Sequence, residues 1–238
     1  MNTKLYTGTG SSQSITGVGF QPDWTWIKKR NGGEQHVLFD AIRGVQKYIT
    51  SSGTAAESTT ATTLTAFNSD GFTQGGHGMT GANSGTYASW NWKANGTGSA
   101  NTAGSINSTV SVNTTAGFSI VKWSGTSATG TVGHGLGSVP KTVWVKSLAN
   151  AEGIYTYWQP LGNNKQLLMS STSAQGTTTL WNNTTPTSSV FSVTNHSAVN
   201  GSGDYIAYCF ADVQGYSKVG GSYTGNGNAD GTFVYTGF

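Results

Sequence analysis

The chain has 238 residues, of which 9% are charged and 35 are glycine, and twelve basic against nine acidic residues leave a net charge of +3. That balance excludes long solvent-facing helices, which need Glu, Lys and Arg on their wet side, and a strongly basic nucleic-acid surface. Eight Trp, ten Tyr and nine Phe exclude a disordered Gly/Ser tract, because they supply ample bulk for a core.

Near the N-terminus, Leu5-Tyr6-Thr7-Gly8-Thr9 reads as a strand running into a turn. Met1 to Gly10 hold no apolar stretch behind Lys4, so no export signal is expected. Pro22-Asp23 opens a strand over Trp24 to Ile27, and Lys28-Lys29-Arg30 reads as its solvated end rather than a phosphate patch. Val37 to Ile49 has room for a helical turn or two, limited by Gly44 and the β-branched residues. Asp70-Gly71 predicts a turn, and Tyr87 to Trp92 a further strand. Residues 95–104 carry no apolar bulk and are expected to be a Gly/Ser/Asn-rich linker. Ser119 to Trp123, Thr131-Val132, Lys141 to Lys146, Tyr155 to Trp158, Gln166 to Met169 and Ser189 to Val193 continue the series of short strands. Tyr205 to Phe210 is apolar on both faces, as a strand covered from both sides must be. The lone Cys209 lies in that run and reads as a core thiol with no disulfide partner.

Self-similarity organises these elements. Pro22-Asp23-Trp24-Thr25-Trp26-Ile27-Lys28 matches Pro140-Lys141-Thr142-Val143-Trp144-Val145-Lys146, and Tyr87 to Trp92 matches Tyr205 to Phe210, both 118 positions apart. Leu5 to Thr9 matches Lys122 to Thr126, and Phe72-Thr73 matches Phe191-Ser192, with the offset drifting by one either way. Four blocks in one order predict a duplicated module. The same alignment sets Asp40 opposite Gln159. Ser222-Tyr223-Thr224-Gly225 repeats the Tyr6 block, and Val234 to Phe238 repeats Ile15 to Phe20. The expected organisation is all-β: two tandem, sequence-related β-sandwich domains of jelly-roll or concanavalin-like type at 1–94 and 105–216. The linker 95–104 separates them, and a partial third repeat, a hairpin, fills 217–238.

Thr115-Ala116-Gly117-Phe118-Ser119-Ile120-Val121, Val132-Gly133-His134-Gly135-Leu136-Gly137 with Pro140, and Leu38-Phe39-Asp40 with Arg43-Gly44 resemble a repeat family of phage tail-fibre-like and other virion structural proteins. The block Phe67-Asn68-Ser69-Asp70-Gly71-Phe72 is similar to another of that family's signatures. The resemblance covers nearly the whole chain and implies a virion location. With it come other virion proteins as partners, homo-oligomeric assembly at symmetric sites, and host-surface glycan as a further partner class.

Catalytic chemistry is thin in this sequence. His36, His77, His134 and His196 lack metal-ligand spacing, Asp70-Gly71 lacks the ladder of a calcium loop, and no acid pair sits two residues apart on one strand. No catalytic residue, metal or cofactor is assigned, and neither nucleic acid nor membrane insertion is expected. Asp40 and Arg43 read as a structural ion pair. Repeat-matched aromatics, Trp26 with Trp144, Trp90 with Tyr208 and Trp92 with Phe210, are expected in the shared core. Trp24 faces Thr142 in the other copy, so it is expected to be the more exposed of the first pair. Trp24, Trp158 and Trp181 are therefore the candidates for stacking on sugar or anchoring an interface. Phe233, Val234, Tyr235 and Phe238 are expected to pair the partial repeat onto an exposed sheet edge. Three functions remain open: a non-enzymatic virion protein (tail fibre, head fibre or capsid decoration), a lectin-like carbohydrate-binding module, and a polysaccharide depolymerase.

Overall fold

The computed structural model describes residues 1–237. Short strands dominate, and helix is limited among the described residues to the single turn Gln159–Leu161. The first half contributes β1 (Asn2–Thr7), β2 (Gln13–Ile15), β3 (Trp24–Lys29), β4 (Val37–Asp40), β5 (Lys47–Thr50), β6 (Ser58–Thr59), β7 (Leu64–Asn68), β8 (Gly71–Gln74) and β9 (Thr86–Trp92). The second contributes β10 (Ser99–Asn101), β11 (Ser108–Asn113), β12 (Phe118–Ser124), β13 (Gly130–Gly133), β14 (Thr142–Ser147), β15 (Tyr155–Trp158), β16 (Lys165–Leu168), β17 (Gly176–Thr177), β18 (Val190–Val193) and β19 (Asp204–Phe210).

All strand pairs are antiparallel. A six-stranded sheet runs β1-β9-β3-β4-β5-β6, and an eight-stranded sheet runs β10-β11-β12-β19-β14-β15-β16-β17. Beneath them lie a three-stranded sheet, β2-β8-β7, and a two-stranded sheet, β13-β18. The matched sequence blocks sit at matching registers. Trp24 pairs with Trp92 and Trp26 with Trp90, as Thr142 pairs with Phe210 and Trp144 with Tyr208. Ile15 pairs with Phe72, as Val132 pairs with Phe191. The register also corrects the alignment at one point: Trp24 opposes Asp40 and Thr142 opposes Trp158, so Trp158, not Gln159, stands where Asp40 stands.

Three apolar clusters bind four layers together. Ile27, Phe39, Leu64, Phe72 and Tyr87 fill the space between the six- and three-stranded sheets. Val121, Trp123, Val145, Phe191 and Tyr205 fill that between the eight- and two-stranded sheets. A third cluster, including Trp24, Leu38, Phe118, Ile120, Ile206 and Tyr208, lies where the two large sheets face each other. Because side chains alternate along a strand, β19 serves two cores at once: Tyr205, Ala207 and Cys209 point one way, Ile206 and Tyr208 the other. The two-sided reading of that strand therefore holds.

Several expectations are corrected. Residues 95–104 are not a plain linker: Ser99–Asn101 pairs with β11 as the outermost strand of the large sheet. An edge strand is held by its backbone bonds and needs no apolar side chains. Val37 to Ile49 makes two strands joined by a tight turn rather than helix. Asp70-Gly71 is a turn as expected. Gly71 is required there, since its φ is 146° and a Cβ would lie 1.9 Å from the Ile15 carbonyl oxygen. No ladder forms in 222–237, where Asn226 donates to the Asp230 carbonyl and the Thr232 hydroxyl to the Thr224 carbonyl. β1 and β12 each pair with a closing strand, β9 or β19, and this segment meets no such strand.

Candidate functional site

The facing surfaces of the two large sheets bring most of the indole rings together. Trp24 is fully buried there, with ring centroids 4.3 Å from Trp92, 4.6 Å from Tyr208 and 5.5 Å from Phe118. Beside it lies a buried polar latch. The Asp40 carboxylate accepts bonds from the Arg43 guanidinium at 2.5 Å and from the Tyr208 hydroxyl at 2.8 Å, so Asp40 and Arg43 on one half hold a phenol from the other. Arg43 also donates to the Leu38 carbonyl and reaches Glu57. The expected Asp40–Arg43 ion pair is thus present, and it spans the seam. Further along, the Lys146 ammonium donates to the carbonyls of Ser147, Asn150 and Thr54, the last from the first half. Burial pulls the Lys146 pKa down from 10.5 to about 8, against the opposing pull of Glu152.

At one end the seam opens into an aromatic cleft of about 440 Å³. Its floor is Trp26, Trp92, Trp144 and Phe210, all half-buried and joined in a chain of ring contacts. Trp144 and Phe210 approach to 5.1 Å, Trp26 and Trp144 to 6.1 Å edge-to-face, and Trp92 and Phe210 to 6.4 Å. One wall is Trp158, whose indole N–H donates to the Gly220 carbonyl at 3.1 Å. The other is the segment from Tyr216 to Val219. The Trp144 indole N–H donates to the Thr142 hydroxyl, which itself donates to the Tyr157 carbonyl. Among the described residues no Asp or Glu lines the cleft, and Lys218 is its charged side chain.

The candidates read from the sequence divide accordingly. Trp158 stands on the cleft wall. Trp24 does not: the expectation that it is the more exposed of its pair is reversed, since Trp26 is half-buried and Trp24 has no exposure. An aromatic without a counterpart in the other half is dispensable for packing inside each half, but Trp24 packs across the seam, against Phe118, Trp144 and Tyr208. Trp181 is also buried; it stacks edge-on to Tyr157 at 6.0 Å and donates to the Lys165 carbonyl. Of the expected core set, Tyr208 is fully buried, while Trp26, Trp144, Trp90, Trp92 and Phe210 are half-buried because they line or border the open end of the seam. Phe233, Val234 and Tyr235 are exposed and join no sheet edge, and Phe238 lies outside the described residues. Sequence reasoning missed Tyr216 and Lys218, which belong to no repeated block, and Lys146, whose copy Lys28 is a surface residue bonded to Gly32 and Glu34 carbonyls.

His134 is buried, its Nδ1 accepting from the Leu136 amide. Among the described residues no group of three His, Cys, Asp or Glu side chains is placed to hold a metal, and no helix is long and apolar enough to cross a membrane.

A family model described as a domain of unknown function, DUF7483, matches residues 1–238. No curated protein and no solved structure matches the chain.

Proposed function

We propose that this chain, which belongs to the DUF7483 family, is a non-enzymatic structural protein of a bacteriophage virion: a tail fibre, head fibre or capsid decoration. Its halves are read as two diverged tandem copies of one β-sandwich module, with residues 217–238 as the opening of a third. The observation that carries this reading is repetition at constant register. The order β1-β9-β3-β4 recurs as β12-β19-β14-β15, with Trp26 opposite Trp90 just as Trp144 is opposite Tyr208. Appendages gain length by adding such modules, and the conserved pairing supports duplication more strongly than composition does. The low charge fits a surface made to associate, since like charges keep proteins apart. In this reading the partners are other virion proteins and further copies of the chain. Mass spectrometry of purified virions from the phage that encodes the chain is the test. Its peptides are expected at stoichiometric abundance, and their absence overturns the assignment.

A further inference from the structure

The aromatic cleft has a use that the virion reading leaves unassigned. We propose that it binds a neutral saccharide, with a hexopyranose ring stacked on the indole floor between Trp158 and the Tyr216 wall. The volume of about 440 Å³ falls within the range of small-ligand sites.

The shape and chemistry of the lining choose the ligand class. An aliphatic anchor from a partner protein fits a pocket of interlocking aliphatic groups, whereas this floor is built of aromatic rings, Trp26 and Trp144 set edge-to-face and Trp144 and Phe210 tilted by 50°. The π-face of an indole is negative, so it attracts the polarised C–H groups of a sugar ring as it attracts the edge of another aromatic ring. The same faces would also suit a quaternary ammonium. That ligand gains from a nearby carboxylate, and among the described residues no Asp or Glu lines the cleft, whereas Lys218 does. Sugar hydroxyls need polar partners once desolvated. The rim carries Lys218, the Ser217 hydroxyl, which donates to the Ala211 carbonyl and keeps lone pairs to accept with, and the Tyr216 phenol, which accepts from the Met1 ammonium and keeps its own proton to donate.

Only one half of the molecule offers this arrangement. At the equivalent register position of the first half, Asp40 takes the place of Trp158 and is consumed by Arg43 and Tyr208. The duplicated module therefore yields one site per chain.

The inference is independent of where the protein resides, so virion mass spectrometry and saccharide binding can fail separately. The full chain is titrated with cellohexaose, maltohexaose, laminarihexaose, mannohexaose and galactohexaose, followed by tryptophan fluorescence and saturation-transfer NMR. At least one hexasaccharide is expected to bind at millimolar concentration or below with a change in indole emission. Trp158→Ala should weaken it by about tenfold or more, the scale of one lost aromatic stack, with the melting temperature lowered by less than about 4 °C. Phe233→Ala, which removes an exposed aromatic outside the cleft, should leave binding intact. Absence of binding across the panel overturns the proposal. So does binding that survives both Trp158→Ala and Trp144→Ala, or quenching by tetramethylammonium where every sugar is silent.

Discussion

The two halves use one strand plan to opposite ends. At the edge of the seam the first half places a large ring on its central strand, Trp24, and a small acid on the neighbouring strand, Asp40. The second half reverses the sizes, with Thr142 on the central strand and Trp158 beside it. In the first half the ring goes inward and is sealed, while the acid becomes an ion pair. In the second the small residue leaves room and the indole is carried out to the rim. A bulky side chain has in effect changed strands, turning a closed position into an open one without altering the backbone plan. The halves also differ at their margins: β1 ends the six-stranded sheet, whereas β12 is extended by β11 and β10.

This comparison is broken most directly at Trp24. Trp24→Ala is expected to lower stability by about 3–5 kcal/mol in denaturant unfolding, the range for a fully buried large ring. Trp158→Ala should lower it by under about 1 kcal/mol, because Trp158 is a half-exposed wall. Comparable losses at the two positions would sink the claim that one is sealed and the other open. Next is the latch. Asp40→Asn keeps the shape but leaves the buried Arg43 cation with only the more distant Glu57 as counter-charge, with an expected loss of about 3 kcal/mol. If that loss were absent, the pair would not be what holds Tyr208 to the first half.

A smaller effect is expected at Lys146. The unfolded chain keeps this proton up to about the ordinary lysine value of 10.5, while the folded protein releases it near 8. Between those values the unfolded state binds more protons, so this residue makes stability rise with pH. Subtracting the pH profile of Lys146→Met from that of the unchanged protein isolates the term, since Cys209 and the buried tyrosines titrate in both. A difference that stays flat from pH 8 to 10 would contradict it. The least perturbing measurement concerns Cys209, whose thiol is buried and pushed up to about 12 by burial. It should resist an aromatic disulfide reagent at pH 8 until denaturant is added; prompt labelling would mean that β19 is not sealed on both faces.

Much of the frame was legible in the sequence because its two halves can be compared with each other. The blocks around Trp26 and Trp144, and the two-sided apolar run at Tyr205 to Phe210, give strand positions and register without any outside reference. The seam was not legible for the same reason. Comparing copies identifies what each needs internally, and Trp24, Asp40 and Arg43 serve a contact between them that neither copy contains alone. The cleft was half legible. Trp158 stood out by type, but the wall from Tyr216 to Val219 lies outside every repeated block and reaches the site only through the fold. Ser99–Asn101 escaped because pairing through the backbone leaves no mark on side-chain composition.

The placement of β19 has a consequence for how the protein is made. Trp24, Trp26 and Trp92 are complete once residue 92 has left the ribosome; Phe118 and Trp144 bring part of their cover, but the strand that completes it, Asp204–Phe210, arrives last. At about 5–20 residues per second, the first half waits roughly ten seconds with its indole face incompletely covered. A nascent chain in that state is a target for chaperones and for premature pairing with a neighbouring nascent chain. Synonymous codon changes that slow translation between residues 92 and 204 should therefore lower the soluble yield without changing a single amino acid.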